Sequence, residues 1–132
     1  MAAKVFTVDE ANRTLPLVER IVRDIVAAHR ALQEHAAEYS SLDSDAPGTD
    51  ARQAELRRQI DSLTEQVNGY ITELHRLGCL FKGFDEGLVD FYALHGDEPV
   101  FLCWKLGEQT IEWWHELDAG YSGRQPLAAL LD

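Results

Sequence analysis

Seven side chains in the C-terminal third of the chain are of types that do chemistry: Asp90, Cys103, Lys105, Glu108, His115, Glu116 and Arg124. They lie in GLVDFYALHGDEPVFLCWKLGEQTIEWWHELDAGYSGRQP, Gly87 to Pro126, which also holds all three tryptophans. Thiolate, imidazole and carboxylate are the donors that zinc or iron accepts. Asp90, Cys103, His115 and Glu116 are therefore candidate metal ligands. No CxxC or HExxH spacing accompanies them. The plainer reading makes Cys103 a small buried apolar residue and His115 a hydrogen-bonded or surface one. Cys103 with His115 and an acid would also make a nucleophile dyad, the thiolate activated by the imidazolium. A cysteine in mid-strand counts against that, because nucleophiles sit at strand ends and turns.

Arg124 lies in Gly-Tyr-Ser-Gly-Arg-Gln-Pro. Flanking glycines permit close backbone approach, and the guanidinium fork suits a carboxylate or phosphate. With Lys82 and Lys105 it would bind a small anion. In so acidic a chain an internal salt bridge to Glu108, Glu116 or Asp90 is the preferred reading. Each of these groups sits in or beside an apolar segment that must be buried, and lone polar groups are costly to bury. Asp90, Cys103, Glu108, His115, Glu116 and Arg124 are thus expected to converge on one pocket.

Positioning them requires a scaffold, and the sequence before Gly78 reads as one. Thr7-Val8-Asp9-Glu10 is a capping box that starts a helix. Pro16 should interrupt it, with a kink near Leu15 and a long helix beyond. Val18, Val22, Ile25, His29, Leu32, Ala36 and Tyr39 alternate four and three residues apart, a coiled-coil seam widened by Ile21 and Ala28. Ser40 to Asp50 is a polar linker with Pro47-Gly48 at its turn. Thr49 or Asp50 is expected to cap a second helix. Its seam is Leu56, Ile60, Leu63, Val67, Tyr70, Leu74 and Leu77, closed by Gly78 as a C-terminal cap. Gly69, inside this helix, is expected to mark a close helix contact. Two seams joined by a short linker predict an antiparallel hairpin of helices about 40 Å long.

After Gly78 the period changes to two. Cys79 to Lys82 reads as a short strand and Phe84 to Gly87 as a turn. Leu88 to Leu94 and Val100 to Trp104 read as a hairpin about Gly96 and Asp97. That register puts Val89 opposite Trp104, Phe91 opposite Leu102 and Ala93 opposite Val100, an apolar face for the helices. Asp90 opposite Cys103 and Tyr92 opposite Phe101 fall on the other face, which should present the chemistry. Ile111 to His115 fits a third hairpin strand or a helical turn. A loop surrounds Arg124, and the apolar tail Leu127 to Leu131 should dock. The expected fold is α+β, a single domain over 1–132. A long antiparallel helical hairpin over 7–77 precedes a small antiparallel β-sheet of two to four strands over 78–132.

The chain has 132 residues and a formal net charge of −11. One domain with a real core is the expectation at that length. So acidic a surface is repelled by phosphate backbones and anionic bilayers, so neither nucleic acid nor membrane is an expected partner. No run approaches the roughly 20 apolar residues of a membrane span. MAAKVFTVDE lacks the apolar region of a secretory signal, which points to the cytoplasm. Two cysteines, Cys79 and Cys103, are too few for a disulfide framework and are expected as thiols.

The motifs GLVDF, LCWKLGE and WWHELDAGYSGRQPL, behind FTVDEANRTLPLV, resemble a family of small bacterial proteins catalogued as domain of unknown function 2203. The resemblance covers nearly the whole chain. Its motif positions here are Gly87, Asp90, Cys103, Trp104, Gly107, Glu108, Trp114, His115, Gly120, Gly123 and Arg124. It implies no activity, substrate or cofactor. Two function classes follow from the residues. The preferred one is a structural or protein-interaction module that forms a homodimer through its helical hairpin and meets a protein partner. The alternative is a small-ligand or metal binding protein, or an enzyme, using the polar site around Asp90, Cys103, His115 and Arg124.

Overall fold

A computed structural model describes residues 4–128. Helix α1 spans Val8–Ser41 and helix α2 spans Thr49–Arg76, packed against each other as a hairpin. Five strands follow: β1 (Cys79–Gly83), β2 (Leu88–His95), β3 (Glu98–Lys105), β4 (Trp113–Glu116) and β5 (Gln125–Pro126). A single 3-10 turn, Tyr121–Gly123, lies between β4 and β5. The strands form one antiparallel sheet in the order β1-β2-β3-β4-β5.

The start of α1 is the expected capping box. The Glu10 amide donates to Thr7 Oγ1 and the Thr7 amide to Glu10 Oε1, both at 3.1 Å. The expected break at Pro16 does not occur, and α1 runs on as one helix of 34 residues. Pro16 is exposed, while Ala11 and Leu15 before it and Val18 after it are buried. Core packing on both sides holds the helix across the one donor that proline lacks. The cap of α2 also departs from expectation. Gly48 is the N-cap, at φ 81°, and Thr49 is already helical. The Thr49 hydroxyl donates instead to the Asp43 carbonyl at 2.7 Å, pinning the linker. Gly69 is exposed, and nothing lies within 4 Å of where a Cβ would be, so it marks no close contact.

The β2–β3 register is the predicted one: Val89 pairs with Trp104, Asp90 with Cys103, Phe91 with Leu102, Tyr92 with Phe101 and Ala93 with Val100. Val89, Phe91, Ala93, Val100, Leu102 and Trp104 are buried in one cluster with Ala11, Leu15, Val18, Val22 and Ile25 of α1. Phe6, just ahead of α1, meets Phe91 edge-on at 5.1 Å and donates its amide to the Tyr92 carbonyl. Gly87 permits the turn into β2, at φ 66°. A Cβ there would meet Val22 and Leu106 at 2.9 Å.

The sheet exceeds the two to four strands expected. The chain beyond Gly107 supplies β4 and β5. Pro126 has no amide to donate and so suits the terminal strand. Its carbonyl accepts from Trp114 Nε1 at 3.2 Å, and the Leu127 amide donates to the Glu112 carbonyl at 3.1 Å. These bonds close the Gly107–Pro126 excursion back onto the sheet. Leu127 packs against the core. The rest of the tail expected to dock, 129–131, lies outside the described residues.

Candidate functional site

Asp90, Cys103 and His115 come from three adjacent strands, β2, β3 and β4. Asp90 faces Cys103 directly across the β2–β3 ladder, and His115 faces Phe101, two residues along β3. Alternation therefore puts all three side chains on the sheet face turned away from the helices. The imidazole reaches diagonally back over β3, and His115 Nε2 lies 3.1 Å from Asp90 Oδ1. One donor atom from each of the three residues lies within 4.8 Å of the others.

Around these three residues the face is closed. Asp90 is 4% exposed, Cys103 1% and His115 2%. Phe101, also buried, lies against the imidazole at 5.5 Å, and Tyr92 packs on Phe101 at 4.7 Å. Burial pushes the Asp90 carboxyl above the usual carboxylate range, opposed by His115, Cys103 and Lys82. The Cys103 thiol is pushed up to about 12, first by burial and then by the Asp90 charge, with Arg124 pulling the other way. Such a sulfur is a protonated thiol near neutral pH, so the nucleophile dyad has no activated thiolate.

The second contact of His115 determines its tautomer. Nδ1 lies 2.7 Å from the Glu116 carbonyl oxygen. A carbonyl only accepts, so Nδ1 carries the proton and donates it. The 3.1 Å contact of Nε2 with Asp90 Oδ1 then needs a second proton, carried by Nε2 or by the Asp90 carboxyl, in the place a metal ion would take.

Arg124 and Glu108 flank the three. Arg124 Nη2 donates to Glu108 Oε1 at 2.6 Å and to the Cys103 carbonyl at 3.1 Å. The guanidinium carbon sits 5.2 Å from the Trp113 ring centre and 4.9 Å from that of Tyr121. Glu108 also accepts the Lys105 amide at 2.8 Å, and its carbonyl accepts Trp104 Nε1 at 2.8 Å. The expected internal salt bridge of Arg124 is thus made with Glu108. The other two candidates stand apart. Lys105 sends Nζ to the Tyr121 hydroxyl at 3.2 Å. The Glu116 side chain is exposed, and the residue serves His115 through its backbone.

The model of a family described as "Uncharacterized conserved protein (DUF2203)" matches residues 4–127. The chain belongs to that family. Comparison with curated proteins and with solved structures gives no match. Among the described residues no helix is long and apolar enough to cross a membrane.

In this family member the site includes groups that the choice of reactive side chains overlooked. They are the Glu116 carbonyl, the Phe101 ring against the imidazole, and the Trp113 and Tyr121 rings that hold Arg124. Of the two readings open for Ile111 to His115 the strand is realised over Trp113–Glu116, and its register sets His115 opposite Phe101. Nothing in the sequence marks a backbone carbonyl as a partner.

Proposed function

We propose that this protein binds one divalent transition-metal ion of the zinc type through Asp90, Cys103 and His115. The observation that carries the reading is the convergence of three different donors from three strands, with His115 Nδ1 bonded to a backbone carbonyl. That bond aims the Nε2 lone pair inward and orients the ring, as partners of metal-bound histidines do. Bonds of roughly 2.0–2.3 Å at a tetrahedral angle separate donor atoms by about 3.3–3.6 Å. The 3.1 Å between Nε2 and Oδ1 is close to that, while the three donors lie within 4.8 Å of one another, so the set must draw together by up to about 1 Å around an ion.

Charge supports a divalent ion. Asp90 and a metal-bound Cys103 thiolate supply two negative charges, and neutral His115 supplies none. A dication leaves the buried set neutral, while Arg124 and Glu108 neutralise each other. Sulfur and imidazole favour zinc over magnesium or calcium, which prefer all-oxygen sets. Three protein ligands leave a fourth position, which a single water would fill in so closed a site.

The test is reconstitution with cobalt(II), whose tetrahedral absorption reports geometry and whose charge-transfer band reports sulfur ligation. One ion per chain, with the band lost in Cys103→Ser and the affinity lost in His115→Gln, is the expected result. A chain that takes up no zinc or cobalt would make the trio a structural network instead.

A second reading concerns the hairpin, which we propose pairs with that of a second copy. The contiguous core ends at Ala28 on α1 and Val67 on α2, with Leu63 packed at its edge. Beyond it the seam residues Leu32, Ala36, Tyr39 and Ile60 are only half-buried, while Leu56 is fully covered. Gln59 Oε1 is buried there with no donor, beside a groove between Ala31, His35 and Leu63. Two such arms would make a four-helix bundle. Light scattering should give twice the chain mass, falling to one in Leu32→Glu. A strict monomer at high micromolar concentration would rule this reading out.

A further inference from the structure

Resting on the metal reading above, we infer that Arg124 is a positioning residue for the metal-bound Cys103 sulfur, to which its Nε–H donates a hydrogen bond. Three observations lead there. The Arg124 side chain is nine-tenths buried, at 10% exposure. Its place is fixed by Nη2, bonded to Glu108 Oε1 and to the Cys103 carbonyl, and by the rings of Trp113 and Tyr121 on its faces. Its Nε is buried with no hydrogen-bond partner. Folded proteins rarely leave such a donor idle, and least of all one on a charged group.

The acceptor is identified by position. Nη2 already holds the backbone of Cys103, so the guanidinium lies alongside that residue. A protonated thiol is a weak acceptor and leaves the Nε–H unsatisfied. Coordination replaces the S–H bond with a sulfur–metal bond and releases the proton to solvent. The sulfur then carries negative charge and becomes a strong, charge-assisted acceptor. The idle donor is therefore idle only until the ion arrives. Asp90, on the opposite side of Cys103 in the ladder, is a ligand in the same event.

An alternative use of Arg124, capture of an exogenous anion, fits less well. One arm of the guanidinium is committed to Glu108, and the neighbouring Asp90, Cys103 and His115 are nearly inaccessible. The inference gives Arg124 a part in ion affinity rather than in substrate binding.

The decisive experiment uses the unaltered chain, labelled with nitrogen-15, with cadmium-113 as the probe ion. The Arg124 Nε–H resonance should move downfield, exchange more slowly with water and show a scalar coupling to cadmium. An Nε–H left unmoved and uncoupled by a stoichiometrically bound ion overturns the inference but leaves the metal site standing. Failure of the wild-type chain to bind cadmium, cobalt or zinc at all overturns both. A second measurement uses Arg124→Lys, which keeps the charge and loses the planar Nε donor. In the cobalt form its sulfur-to-metal band should shift to lower energy, and zinc affinity should fall by roughly 10–100-fold. A variant with the wild-type band and affinity would overturn the inference as well.

Discussion

The two faces of the β2–β3 ladder are both buried at their centre, by opposite means. Toward the helices stand Val89, Phe91, Ala93, Val100, Leu102 and Trp104, under α1. On the other side Asp90 and Cys103 are as inaccessible as their apolar counterparts, yet they face away from α1 and α2. Aromatic rings and the returning chain through Arg124 cover them. An apolar face needs only to exclude water and fill volume. A polar face must also give each donor and acceptor a partner. The helix face should therefore tolerate changes that keep volume, while the other face should tolerate only changes that keep pairing.

The largest expected effect lies on the helix face. Phe91→Ala, which empties a fully buried ring site, should cost about 3–5 kcal/mol in a denaturant titration. On the polar face, His115→Leu keeps bulk but strands Asp90, and should cost about 3 kcal/mol. Replacing both as Asp90→Leu with His115→Leu should restore part of that loss. A double variant worse than the single one would mean that volume, not pairing, governs this face too. Tyr92→Ala, on the same strand as Phe91 but only half-buried, should cost about 1–2 kcal/mol. A cost above that of Phe91→Ala would reverse the ranking of the two faces.

The smallest effect tests the cover of the helix face. Thr7→Ala removes the cap beside Phe6 and should cost about 1 kcal/mol without changing metal uptake. This loss should depend on pH. The amide and hydroxyl of Thr7 hold the Glu10 carboxyl below its usual range. That stabilisation is present above the ordinary carboxylate pKa and is lost as pH falls through the lowered value of the folded state. Thr7→Ala keeps the backbone amide and removes only the hydroxyl's share, so the gap to wild type should narrow slightly in acid, as thermal melts at two pH values would show.

Much of the fold is legible in local pattern. The two helices, the capping box at Thr7 and the Gly78 stop each depend on neighbours within a few turns. The β2–β3 register follows from a period of two with one hydrophobic set. The misreadings have a common cause in contacts from elsewhere. Pro16 does not break α1 because the residues around it are packed into the core. Thr49 does not cap α2 because Asp43 claims its hydroxyl. The weak stretch after Gly107 becomes β4 and β5 through bonds to Glu112, Trp114 and Pro126 that no local period announces.

The sequence by itself determined which residues could form a site and that three of them, Asp90, Cys103 and His115, lie on segments that must be buried. Residue type and alternation suffice for that, because they are properties of the chain taken a few residues at a time. Only the tertiary structure decided that these three meet, that Glu108 rather than Asp90 takes Arg124, and that the Glu116 carbonyl turns His115 toward Asp90. Those outcomes depend on ångström distances between strands joined by long excursions. The distances are set by the packing of the whole sheet and not by any stretch of the sequence alone.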